Sequence, residues 1–153
     1  MTTRIGLVAD SHSDLCDWPA VLETVRAALG PVDLVLHCGD ITASEALDDL
    51  ETIAPVRATR SEGDPPAAPP RLVEGPTVVD VGGRAIALAF ARPDAAPDGV
   101  AAVVFGGTHA ASVETIDGVL WVNPGSPSLS KARSVAVLTL DDDGRAQADV
   151  IAL

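Results

Sequence analysis

Ile5-Gly6-Leu7-Val8-Ala9-Asp10-Ser11-His12 and Val32-Asp33-Leu34-Val35-Leu36-His37-Cys38-Gly39-Asp40 decide how this chain is read. Each is a largely apolar run that stops on side chains able to ligate a metal. Strands ending in carboxylates and an imidazole bring hard oxygen and borderline nitrogen donors to one edge of a sheet, which suits a first-row divalent cation such as Mn2+, Fe2+ or Zn2+. The pattern returns where the apolar run 100–105 is followed by Gly106-Gly107-Thr108-His109.

Between the two opening runs, Asp17 caps a helix that starts at Trp18-Pro19. Val21, Leu22, Val25, Ala28 and Leu29 recur at helical spacing, and Gly30-Pro31 stops it. The unit is therefore βαβ, its strands parallel by the usual crossover and its polar motifs at their carboxyl ends, where parallel sheets place ligand sites. A second helix, capped by Thr42 or Ser44, carries Ala46, Leu47, Leu50 and Ile53, and Pro55 ends it before a short strand over 56–59. Residues 61–76, with Pro65-Pro66 and Pro69-Pro70, read as an irregular extended loop. Strands over 77–81 and 85–90 form a hairpin on Gly82-Gly83, and further strands follow over 100–105, 112–116, 120–123, 135–140 and 146–153. Asp141-Asp142-Asp143-Gly144 lacks the spaced ligands and terminal glutamate of a calcium loop and reads as a solvated turn.

With 153 residues and 47% hydrophobic content, the chain can bury one good core and is read as one domain, residues 1–153. No apolar run approaches the roughly 20 residues of a membrane span. Met1 to Arg4 lead straight into a strand, so a cytoplasmic protein is expected. A net charge of −12 argues against the basic surface that nucleic-acid backbones and anionic membranes require. Cys16 and Cys38 are too few for a disulfide framework and read as structural thiols. His37 reads as a buried, hydrogen-bonded core histidine, and Trp18 and Trp121 as packing residues. Ser11, Ser126 and Ser128 lack the partners of a serine nucleophile.

Taken together and in order, Asp10-x-His12, Gly39-Asp40, Gly106-x-Thr108-His109 and Asn123-Pro124-Gly125-Ser126-Pro127 resemble the calcineurin-like metallophosphoesterases. The match is to the small bacterial and archaeal phosphodiesterase type, which is also similar to the small retromer subunit of eukaryotes. The resemblance implies an α/β fold of two mixed β-sheets packed as a sandwich with flanking helices. It also implies a first metal held by Asp10, His12, Asp40 and His109, with Asp40 bridging toward a second.

At the second metal the sequence departs from the pattern. A Gly-Asn-x-Asp turn becomes Ser61-Glu62-Gly63-Asp64, with Glu62 in place of the amide ligand. A His-Gly pair becomes Phe90-Ala91, and the first histidine of Gly-His-Thr-His becomes Gly107. One divalent ion keeps its ligands and the second loses most of its own. Between residues 92 and 99 the usual helix is also missing, which exposes a sheet face and points to a homo-oligomer. Two functions then fit the chain. One is a phosphodiesterase acting on a small phosphate ester with one cation, Asp40 at its centre and Arg92 replacing the lost charge, Arg60 being a weaker candidate. The other is an inactive phosphoesterase-like domain that binds or scaffolds.

Overall fold

The computed structural model describes residues 2–153; Met1, which the sequence reading runs into the first strand, lies outside them. The chain order is β1 (Thr3–Val8), α1 (Trp18–Leu29), β2 (Leu34–His37), α2 (Ser44–Glu51), β3 (Val56–Arg60), β4 (Leu72–Glu74), β5 (Thr77–Val81), β6 (Arg84–Ala89), β7 (Val100–Phe105), β8 (Ser112–Ile116), β9 (Val119–Asn123), β10 (Ser134–Leu140) and β11 (Ala146–Ala152). Two mixed sheets result, ordered β11-β10-β1-β2-β3-β4 and β5-β6-β7-β9-β8. As expected, β1 and β2 are parallel, with Val8 beside His37 at their carboxyl ends.

Alternation along the strands sorts side chains into layers. Ile5, Leu7, Leu36 and Leu138 of the first sheet meet Ile86, Leu88, Val104 and Val122 of the second in the sandwich interior. The opposite face of the first sheet, through Val8, Val35 and Val137, buries the apolar stripes of α1 and α2, Val25, Leu29, Leu47 and Leu50 among them. Asp17 caps α1 by accepting from the Ala20 N–H, Gly30 closes it, and Trp18 ties it to α2 by donating from Nε1 to Asp49 at 2.9 Å. No helix forms over 90–99; that segment lies as irregular chain on the outer face of the second sheet, where Ala96 packs beside Val103, Phe105 and Trp121. Among the described residues, no helix is long and apolar enough to cross a membrane.

Two sequence expectations are corrected. Residues 61–76 are not wholly irregular, because Leu72–Glu74 adds to the sheet as β4, parallel to β3. The cap of α2 is neither Thr42 nor Ser44: Ala43 occupies that place with no side-chain cap bond, and Ser44 is already helical. The reason is tertiary. The N–H groups of Ile41 and Thr42 are taken, each at 2.9 Å, by Asp64 from the loop after β3, which fixes the helix entry without a local hydroxyl. The Asp141–Gly144 turn is a hairpin connection, with Asp141 accepting from the Asp143 and Arg145 N–H groups.

Candidate metal centre

Beyond β1 and β2 the two chains run on together. The Asp10 N–H bonds the Gly39 carbonyl at 3.0 Å and the His12 N–H bonds the Asp40 carbonyl at 2.9 Å, so the two loops rise from the sheet as one unit. His109 arrives from the second sheet, in the loop after β7. One ligand atom from each of Asp10, His12, Asp40 and His109 falls within a set whose members all lie within 4.8 Å of one another. His12 Nε2 is 3.3 Å from Asp40 Oδ2, and His109 Nε2 is 3.9 Å from Asp10 Oδ1. The two imidazoles meet edge to face, 5.2 Å between centroids.

All four residues have left-handed backbone, with φ of 53° at Asp10, 43° at His12, 56° at Asp40 and 63° at His109. Such conformations are costly for residues with a Cβ and persist where surrounding structure imposes them. That structure is visible. Ser126 Oγ donates to the Asp10 carbonyl at 2.8 Å and Ser128 Oγ to the Ser11 carbonyl at 2.6 Å. Asp64 accepts from the N–H groups of Asp40, Ile41, Thr42 and Ser61, each at 2.9 Å, while Ser61 Oγ donates a short bond to Asp40 Oδ1. Asn123 accepts from the Gly125 N–H and donates to Thr108 Oγ1, bracing the His109 loop.

His37 is fully buried beneath the Asp10 and Asp40 loops, and burial holds its pKa down to about 4, so the ring is neutral near pH 7. Nδ1 accepts from the Gly39 N–H at 3.0 Å, which leaves the proton on Nε2, in a short bond with Ser11 Oγ. This is the buried, bonded core histidine that the sequence suggests. Burial also pushes the Cys38 thiol well above its ordinary range, leaving it protonated and inert.

The cluster suits a cation. Asp10 Oδ1 and His12 Nε2 are buried without a hydrogen-bond partner, and both belong to the converging set. Buried polar atoms without a hydrogen-bond partner are costly, and a cation among them would satisfy both. Burial raises the Asp10 carboxyl above its ordinary value, against the downward pull of the Gly107 N–H and the imidazoles. Two carboxylate oxygens and two imidazole nitrogens fit a first-row divalent ion.

Beside the cluster, the side chain of Phe90 packs against glycine backbone. A Cβ on Gly39 would stand 2.7 Å from Cδ1 of Phe90, and a Cβ on Gly107 would stand 3.6 Å from its Cζ. The phenyl ring thus lies between the two glycines and leaves no room for a side chain at 39. Glu62 is exposed and is not part of the converging set. Arg92 is not brought to the cluster either. Its guanidinium pairs with Glu114 at 2.7 Å and lies over Trp121, 4.5 Å from the ring centroid, on the outer face of the second sheet. Arg60 is spent on the Asp64 and Pro65 carbonyls and on Glu74.

The calcineurin-like phosphoesterase superfamily domain matches residues 3–143. The chain belongs to that superfamily. A probable metallophosphoesterase of Methanocaldococcus jannaschii is 27% identical over 98% of this chain and 81% of its own length. Among solved structures, an archaeal phosphodiesterase superposes with a TM-score of 0.75 at 19% identity, covering 97% of this chain and 99% of that one. Wild-type Vps29 of Entamoeba histolytica complexed with Zn2+ gives 0.66 at 18% identity, covering 98% of this chain and 99% of that one. These likenesses bear out the two-sheet α/β fold, and membership of a metallophosphoesterase superfamily together with the four-residue cluster implies a divalent metal.

Proposed function

We propose that this protein is a phosphodiesterase-type hydrolase of small phosphate esters that works with one divalent cation, held by Asp10, His12, Asp40 and His109. The observation that carries the reading is the convergence of these four side chains with two of their ligand atoms buried and unpartnered. A cation bound there would act as a Lewis acid toward a phosphoryl oxygen and bring the pKa of a bound water toward neutrality. Manganese, iron and zinc all suit the donor set.

The chain's own residues supply the rest. Asp10 and Asp40 would supply the oxygen ligands that hold the cation, and the two imidazoles would complete the set with nitrogen. Ser61 and Asp64 hold the Asp40 carboxylate and backbone in place, and the Ser126 and Ser128 hydroxyls do the same for the Asp10 loop. Phe90 occupies the space beside Gly39 and Gly107, against a second ion there. Glu62 and Arg92 have no part in this reading. A cytoplasmic location accords with free thiols at Cys16 and Cys38. Association of two copies accords with β8, an edge strand whose five residues are all exposed, Val113 and Ile116 included; a monomeric mass by light scattering at micromolar concentration would contradict it.

The test is hydrolysis of bis-p-nitrophenyl phosphate with added Mn2+, wild type against Asp40→Ala. Metal-dependent turnover that vanishes in the variant is expected. Wild-type turnover no greater than the variant's would contradict the reading. It would favour a second one, supported by the phenyl ring at Phe90: a phosphoesterase-like domain that keeps an ion and acts by binding a partner.

A further inference from the structure

A groove of about 530 Å3 opens one residue beyond His109, between Ala110-Ala111 on one side and the loop from Ser130 to Ser134 on the other, with Val150 of β11 in its wall. It is distinguished by charge. Every arginine from Arg4 to Arg92 donates to a carboxylate, hydroxyl or carbonyl. Among the described residues, only Lys131, Arg133 and Arg145 have side chains with no such partner, and two of these three line this groove. Lys131 is the sole lysine in a chain of net charge −12, and no aspartate or glutamate side chain lines the groove, whose wall also includes Leu153 with the backbone carboxylate of the described chain. Arg133 also borders a smaller cleft that contains Asp17, without pairing with it.

The groove is held close to the cluster by the loop that forms its far wall. That loop is pinned to the Asp10 and Ser11 carbonyls by Ser126 and Ser128, and Ser134 at its end is buried, donating to the Pro124 carbonyl at 2.7 Å. The groove begins at Ala110, next to His109 in the chain, so unpaired cations lie beside the loop that carries one of the four cluster residues. In a chain of net charge −12, screening over about 8 Å at physiological salt leaves the nearest charges in control. A guanidinium and an ammonium together match the double charge and the oxygen array of a phosphate.

We propose that the Lys131–Arg133 groove is a subsite for a second phosphate, so that the preferred substrates are small phosphate esters carrying another phosphate on the side away from the cation. The inference rests on the reading of the cluster given above. Isothermal titration calorimetry with Mn2+ present would compare propane-1,3-diol bisphosphate with propyl phosphate. Wild type is expected to bind the bisphosphate about tenfold more tightly or better, given two exposed charge pairs. The double variant Lys131→Ala/Arg133→Ala loses that preference, and the charge-keeping Lys131→Arg/Arg133→Lys retains it. Both side chains are exposed, so an unchanged Tm will show that the fold is kept. Equal affinity of wild type for the two ligands, or a preference that survives the double alanine variant, would overturn the subsite. Preference without any hydrolysis of bis-p-nitrophenyl phosphate would support the subsite and contradict the hydrolase reading alone.

Discussion

Two neighbouring regions, where strand ends of the two sheets meet, are built in opposite ways. On one side Asp10, His12, Asp40 and His109 keep four left-handed backbones, two unpartnered buried atoms and a web of hydroxyl and carboxylate braces. On the other, Phe90 packs against bare glycine backbone at Gly39 and Gly107. The first is energetically expensive and the second is ordinary hydrophobic packing. Strain is costly to a fold, so a set of strained residues held by dedicated braces is best explained by a ligand that needs them.

Breaking the braces should have the largest effect. Asp64→Ala leaves several backbone N–H groups around Asp40 without an acceptor, and we expect a loss of about 3–5 kcal/mol in urea unfolding. Mn2+ affinity should fall with it. A variant as stable as wild type would mean that the strained loop stands without its brace.

Next comes His37, the neutral imidazole under both loops. Its pKa of about 4 in the fold lies below the ordinary 6.5, so between those values the unfolded chain takes up a proton that the folded one refuses. Stability is then full above pH 6.5 and falls as the pH drops through that window, by up to about 3 kcal/mol. The difference between wild type and His37→Gln in pH-dependent unfolding isolates this contribution, and parallel curves would contradict it.

The second region can be rebuilt to sharpen the contrast. Glu62→Asn/Phe90→His/Gly107→His should bind a second Mn2+ per chain by calorimetry, at about 2 kcal/mol of stability for the lost ring and the strained backbone at Gly107. One ion in that variant would mean that more than these side chains was lost. Smallest of all, Arg92→Ala should cost about 1 kcal/mol through its ion pair and ring contact, with Mn2+ affinity unchanged. A weaker Mn2+ site would return Arg92 to the cluster.

Much of this was legible because local chemistry and tertiary structure agree. Asp10, His12, Asp40 and His109 each follow an apolar strand, so strand patterning puts each at a strand end, and the packing of the two sheets brings His109 to the other three. Strand β4 was not legible: three residues between Pro69-Pro70 and Gly75-Pro76 carry no periodicity, and only pairing with β3 makes them a strand. The entry of α2 was hidden for a similar reason, since its anchor, Asp64, lies more than 20 residues away in the chain. Arg92 looked like a substitute charge by its distance in sequence from Phe90, but β8 and β9 offered it a carboxylate and an indole nearer to hand. Ser126 and Ser128 were set aside as nucleophiles, and no sequence signal marked their work as backbone braces.

The most direct test of a one-ion centre is anomalous diffraction from a crystal soaked in Mn2+. One peak among Asp10, His12, Asp40 and His109, with no density between Phe90 and Asp40, is the predicted result. Two peaks, or none at the four-residue cluster, would contradict the account.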